Sequence, residues 1–206
     1  MLAQPGPLDA RNVAARTLRS GHVSAGVLNG GSDVADNEQA RGGAPMGHGQ
    51  KQRDVIQMSP AEIDEFLAGR RSMSMATVNK DGSIHMIAMW YGFLEGCVAI
   101  ESKAKAQKVL NLRRNPNITM MVEDGDYYDE LRGVMITGTA EIVEDPDRVF
   151  ALGVSVFERY TMPYTEAMKP AVLQMLNKRV VVKVTPKKIA SWDHGKLGLP
   201  SMRPKA

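Results

Sequence analysis

The sequence predicts a mainly β fold, an antiparallel β-barrel with peripheral helices. Three observations predict it. The hydrophobic period changes from about 3.6 to about 2 just after residue 70. Strand-like runs then recur, joined by tight turns of which Asp81-Gly82 is the strongest signal. About five to seven such runs appear with few helices and without the regular βα alternation of a doubly wound sheet.

Composition narrows the class. The 206 residues suffice for one domain with a real core. Apolar residues make up 43% and charged residues 24%, an ordinary globular balance. A formal net charge of +3 is too weak for a nucleic-acid binder, so no such partner is expected. Cys97 is the only cysteine, which excludes an internal disulfide and a cysteine metal cluster. It also fits a reducing cytoplasm, the expected location. His22, His48, His85 and His194 show no metal-ligand spacing, so no metal site is expected. No apolar run approaches the roughly 18 residues of a membrane span. Arg11, Arg16 and Arg19 interrupt any signal-peptide core.

The elements follow in order. Residues 1–57 hold nine of the 19 glycines and no aromatic residue. With little to bury, they are expected to form a disordered extension. Order is expected to begin at "MSPAEIDEFLAGRR". Ser59 suits an N-cap, Pro60 the first helical position, and Glu62 completes a capping box. Ile63, Phe66 and Leu67 form the apolar stripe, and Gly69 ends the helix. "SMSMATVN" alternates as a strand, "KDGS" turns, "IHMIAMWYGF" returns, and "CVAIES" is a third strand. A helix is expected over about 103–114, stopped by Asn115-Pro116. "NITMMVE" and "RGVMITGTAEIVE" are strands flanking the polar loop "DGDYYDEL". Asp145-Pro146 starts a helix to about Tyr160, and another covers about 165–176. "KRVVVKVTP" and "KIASW" read as two closing strands. The folded domain is thus expected over 58–197, with 198–206 as a loose tail.

The chemistry concentrates in "ESKAKAQKVLNLRRNP". Lys103, Lys105 and Lys108 stand at the expected start of a helix, where the dipole is already positive. Each lysine there costs about 0.3–1 kcal/mol unless an anion reverses the sign. Helix amides with lysines suit a phosphate. A solvated basic face is the alternative, and these residues alone leave both open. Other signals are absent. There is no G-x-S-x-G elbow and no Gly-rich phosphate loop. Cys97 reads as a packed thiol and His85 as a half-exposed strand residue. No catalytic residue can be named.

The order of "SMATVNKDGSIHMIAMWYGF", "ESKAKAQKVLNLRRNPNITMMVED", "LRGVMITGTAEIVED" and "KRVVVKVTPKKIASWDH" resembles the FMN-binding split β-barrel superfamily, which includes pyridoxamine 5'-phosphate oxidase. With K-x-x-N-L-R-R-x-P and W-D-H among them, the chain is most similar to the deazaflavin (coenzyme F420)-dependent reductases of the split-barrel type. The resemblance spans about residues 58–197. It implies that Lys108 meets a cofactor phosphate and that Asn111 matches a family asparagine. Some members place an arginine at the position of Ala106, and Lys103 or Lys105 would have to substitute here. The resemblance also implies ring contacts along Met86–Trp90 and Ile100–Ser102, with Met89, Trp90 and Ser102 in the cofactor set. It implies a homodimer with its groove at the subunit interface, lined by Trp192. Arg132 either reaches the cofactor's acidic tail or pairs with Glu130 or Asp129.

The function implied is hydride transfer from reduced F420 to an electron-poor double bond of a small organic substrate. FMN is the alternative cofactor, and a non-catalytic carrier or sensor the alternative role. Tyr91, His85 and Tyr164 are the candidate proton donors. No second phosphate site stands out for pyridoxamine phosphate.

Overall fold

The computed structural model describes residues 51–69 and 71–204. A short helix, α1 (Gln52–Val55), precedes α2 (Pro60–Ala68). The capping box forms as expected: Glu62 N–H donates to Ser59 Oγ, and the Glu62 carboxylate accepts from Ser59 N–H. At the other end, the Arg159 guanidinium donates to the carbonyls of Leu67, Ala68 and Gly69. A cation from a distant helix thereby satisfies the carbonyls that α2 leaves open.

Seven strands form one antiparallel sheet. They are β1 (Met73–Val78), β2 (Ile84–Met89), β3 (Gly92–Leu94), β4 (Cys97–Lys103), β5 (Asn117–Asp124), β6 (Arg132–Val143) and β7 (Arg179–Asp193), in the order β2-β1-β5-β6-β7-β4-β3. β2 and β3 are opposite edges of this sheet, yet only Trp90 and Tyr91 separate them in the chain. So short a link spans at most about 10 Å. The sheet must therefore curl until its edges nearly meet. The result is a split β-barrel, with its seam between β2 and β3.

The sequence reads "IHMIAMWYGF" as one strand, and the structure breaks it at the seam. Tyr91 is fully buried and its hydroxyl donates to Leu67 O at 2.8 Å. Gly92 then lies against α4 (Pro146–Tyr160), where a Cβ would meet Ser155 Oγ at 2.8 Å. The two expected closing strands are instead the single strand β7. Pro186 does not end it, because the register against β6 slips there: Thr137 pairs with Lys188, and Gly138 with Pro186. A bulge accommodates a proline that cannot donate to the ladder. Gly138 is needed opposite, since a Cβ there would lie 2.2 Å from Thr185 O.

The helix expected over 103–114 is shorter, α3 (Gln107–Arg114). The β4–β7 ladder holds Lys103 extended against Arg179, so Lys103 and Lys105 precede the helix and Lys108 alone of the three enters its first turn. The helix expected over 165–176 begins as a 3-10 turn, Glu166–Met168, and continues as α5 (Lys169–Met175).

Two cores result. Met73, Met75, Ile100, Val109, Met120 and Val182 fill the barrel. Ala99, Val181, Leu152, Val156 and Val172 pack between the sheet's outside and α4–α5. Val98–Ile100 of β4 and Val180–Val182 of β7 are buried on both faces, which explains these apolar runs without alternation.

Of the expected 1–57 extension, residues 1–50 lie outside the described residues. Within 51–57, Ile56 O accepts from Asp193 N–H at 2.7 Å and Gln57 O from Lys196 Nζ at 2.8 Å. In the expected tail, Met202 N–H donates to Asp129 Oδ1 and Arg203 pairs with Glu130. Arg132 pairs with Asp124 at 3.1 Å rather than with Glu130 or Asp129.

Candidate functional site

The seam opens into a pocket of about 460 Å3. Ser72, Ala88, Met89 and Trp90 line it from the β1–β2 side. Glu101 on β4, Met175 at the end of α5 and Arg179 at the start of β7 face them. The topology assembles these groups: β4 and β7 pair in register, so Glu101 and Arg179 meet although they are distant in sequence.

Glu101 is 7% exposed. Its Oε1 lies 3.6 Å from Arg179 Nη1, and its Oε2 is buried with no hydrogen-bond partner. Burial pushes the carboxyl above its ordinary range, while Arg179 and Lys103 pull it down. The guanidinium is itself tethered, its Nε donating to Met175 O at 2.8 Å.

Lys108 is 9% exposed. Burial holds its ammonium below the ordinary lysine range, and repulsion from Arg179 adds to this. Among the described residues no carboxylate and no hydrogen-bond acceptor meets it. The N-cap of α3 is Ala106, which has no side-chain oxygen to accept from the first amides. A buried cation with no carboxylate of its own thus lies at an uncapped helix start, beside a second cation whose charge is shared with Glu101. A phosphate fits this arrangement, because it supplies the missing charge and accepts from the helix amides.

The other expected site residues divide. Met89 and Trp90 line the pocket. Trp90 is 57% exposed and backed by Tyr160. Ser102 is buried on the barrel side of β4, alternating with Glu101 on the other face. Lys103 donates to Asn177 O at 2.6 Å, and Lys105 is exposed. Asn111 is fully buried and fully engaged: its Nδ2 donates to Thr77 Oγ1 and Asn79 Oδ1, and its Oδ1 accepts from Gln107 and Arg114. Both amide protons and both lone-pair positions are used. Asn111 therefore anchors α3 to the β1–β2 hairpin. Trp192 is not brought to the pocket. It sits at the far end of β7, about 40 Å of strand from Arg179, with its ring against Gly133.

Of the candidate proton donors, Tyr91 is spent on Leu67 O, and burial raises its phenol to about 12. Tyr164 packs edge-on to Phe150, and His85 is half-buried on β2. Glu101 and Arg179 carry more of the pocket's chemistry; Glu101 fell within the Ile100–Ser102 stretch without being singled out, and Arg179 was missed. The available signal was a carboxylate inside the apolar run "CVAIES".

A family model described as pyridoxamine 5'-phosphate oxidase matches residues 59–193. The chain belongs to that family. The pyridoxamine 5'-phosphate oxidase match runs from the start of α2 to the end of β7, taking in the whole barrel and the seam. Among solved structures, the conserved hypothetical protein Rv2991 from Mycobacterium tuberculosis is 51% identical, with TM-score 0.73, over 76% of this chain and 98% of that one. An F420 reductase is 30% identical, with TM-score 0.50, over 64% of this chain and 98% of that one. HutZ, the heme storage protein from Vibrio cholerae, is 17% identical over 66% of this chain and 96% of that one; at TM-score 0.52 it shares the fold alone. No curated protein matches the chain. Among the described residues no helix is long and apolar enough to cross a membrane, and no cluster of metal-ligating side chains occurs.

Proposed function

We propose that this chain is an oxidoreductase that holds coenzyme F420 at the barrel seam and reduces an electron-poor double bond of a small organic substrate. The observation that carries the reading is Lys108, a buried ammonium at an uncapped helix start with no anion among the described residues. Lys108 and the first amides of α3 hold the cofactor phosphate, and the exposed Lys105 adds charge nearby. Met89, Trp90 and Met175 flank the ring and keep water from it. When bound, the reduced cofactor supplies the hydride, while the protein binds and orients. The 30% identity to an F420 reductase favours F420 over FMN.

The reading includes a homodimer. β2 lies at the sheet edge with Ile84 61% and Met86 68% exposed. Next to it, Ala88, Ser74, Met121, Met135 and Ala190 form one register row across β2, β1, β5, β6 and β7. A second copy would cover this apolar face. Trp192, remote within one chain, joins the groove only from that partner.

Titration of the purified protein with F420 and with FMN, followed by fluorescence, tests the cofactor. Binding of F420 is expected, and FMN binding without F420 binding would move the assignment to an FMN-dependent enzyme. Oxidation of the reduced cofactor by enones, quinones or tetrapyrroles tests catalysis. Binding without oxidation by any of them would make the chain a carrier or sensor.

A further inference from the structure

The seam pocket holds two charged side chains, Glu101 and Arg179, in a wall otherwise built of Ala88, Met89, Trp90, Met175 and Ser72. Their closest approach of 3.6 Å exceeds hydrogen-bond length, so neither saturates the other. Glu101 is more than nine-tenths buried and leaves Oε2 with no partner. A buried carboxylate oxygen without a donor costs free energy until a ligand supplies one. The last torsion of a glutamate is broad and two-fold, so turning that oxygen toward the pocket costs little. Arg179 is fixed by its bond to Met175 O, which leaves its Nη1 edge beside the carboxyl. An acceptor and a donor therefore stand side by side at the base of an apolar slot.

We propose that Glu101 and Arg179 together read an amide or imide edge, a C=O beside an N–H, on a flat ring lodged against Trp90. The ligand's N–H donates to Glu101, and its C=O accepts from Arg179. The inference rests on the reading that the seam holds a flavin-type ring, whose pyrimidinedione carries such an edge. It adds which end of the ring enters first and which side chains recognise it. Lys108 reads the phosphate separately, at the start of α3.

The test removes the N–H from the ligand and the acceptor from the protein. Riboflavin has the imide edge and no phosphate, and 3-methylriboflavin lacks the N–H. Their deazaflavin counterparts form a second pair. Affinities are measured by fluorescence for the wild-type protein, Glu101→Gln and Glu101→Leu. The wild type should prefer the unmethylated member by about tenfold or more, as for a hydrogen bond to a charged group. Glu101→Leu should bind both members alike, and Glu101→Gln should discriminate less than the wild type. If Glu101→Leu does not fold, Glu101→Gln decides, and undiminished discrimination there overturns the proposal. Wild-type protein that binds F420 or FMN through Lys108 but ignores N-methylation overturns this inference alone. Wild-type protein that binds neither cofactor overturns the functional reading and this inference together.

Discussion

The Trp90 indole lies parallel to the Tyr160 ring, with 4.6 Å between centroids and 4° between planes. Tyr160 is fixed in turn, because its hydroxyl donates to Arg71 O at 2.7 Å. The more exposed partner is thus held by the less exposed one, as a plate at the seam. Trp90→Ala should weaken ligand binding by about 0.5–1.5 kcal/mol, the range for an aromatic pair, and barely change the melting temperature. Tyr160→Phe keeps the ring and should cost about 0.5–1.5 kcal/mol of stability through the lost hydrogen bond, with affinity unchanged. Calorimetry and titration on both variants check this. Intact affinity in Trp90→Ala would return the indole to surface packing.

Lys108 should trade stability for binding. Replacing it by methionine keeps the buried stem and removes the unpartnered charge. The ligand-free Lys108→Met protein should melt at a higher temperature than the wild type. It should bind the phosphate-bearing cofactor more weakly by about 1.5–3 kcal/mol, the range for a charged hydrogen bond. Inorganic phosphate should raise the melting temperature of the wild type and not of the variant. A variant that melts lower yet binds normally would make Lys108 a structural residue.

Asn111 should behave in the opposite way. Asn111→Ala strands the buried Thr77 and the half-buried Asn79, which now share its amide. About 1–3 kcal/mol of stability should be lost, the cost of unsatisfied buried polar groups. The loosened α3 would then displace Lys108 and lower affinity indirectly. Denaturant unfolding beside ligand titration separates the two, since affinity in Asn111→Ala should fall only as far as α3 is disturbed. Unchanged stability with lost affinity would mean direct cofactor contact.

Acid should release the N-terminal helix. The Lys196 ammonium at 2.8 Å and the Ser59 amide and hydroxyl hold the Glu62 carboxyl down, from an ordinary 4.5 to about 2. A carboxyl whose folded value is depressed favours the folded state above its unfolded value. That stability is fully present above about pH 4.5 and is lost as pH falls toward 2. The wild type should lose melting temperature more steeply over this window than Glu62→Gln, whose curve should be flatter. Parallel curves for the two proteins would show that the capping box and the Lys196 bond add no pH-dependent stability.

The sequence by itself determined the local elements. Ser59 with Glu62, Asp81-Gly82 and Asp145-Pro146 act within a few residues, and each marks the boundary that the structure shows. The period-2 runs named a mainly β barrel, and the motif order named its family resemblance. Only the tertiary structure decided which groups meet. The curl that brings β2 and β3 together made the seam, and the β4–β7 register set Arg179 beside Glu101. The same ladder kept Lys103 out of α3, so the three lysines of one run met different fates: Lys103 on Asn177 O, Lys105 in solvent, Lys108 buried. The β6–β7 ladder left Trp192 on Gly133, a strand's length from the pocket. Backbone preference and hydrophobic period are short-range quantities. Strand register and burial depend on residues distant in the chain, and these set the charge and partners of the site.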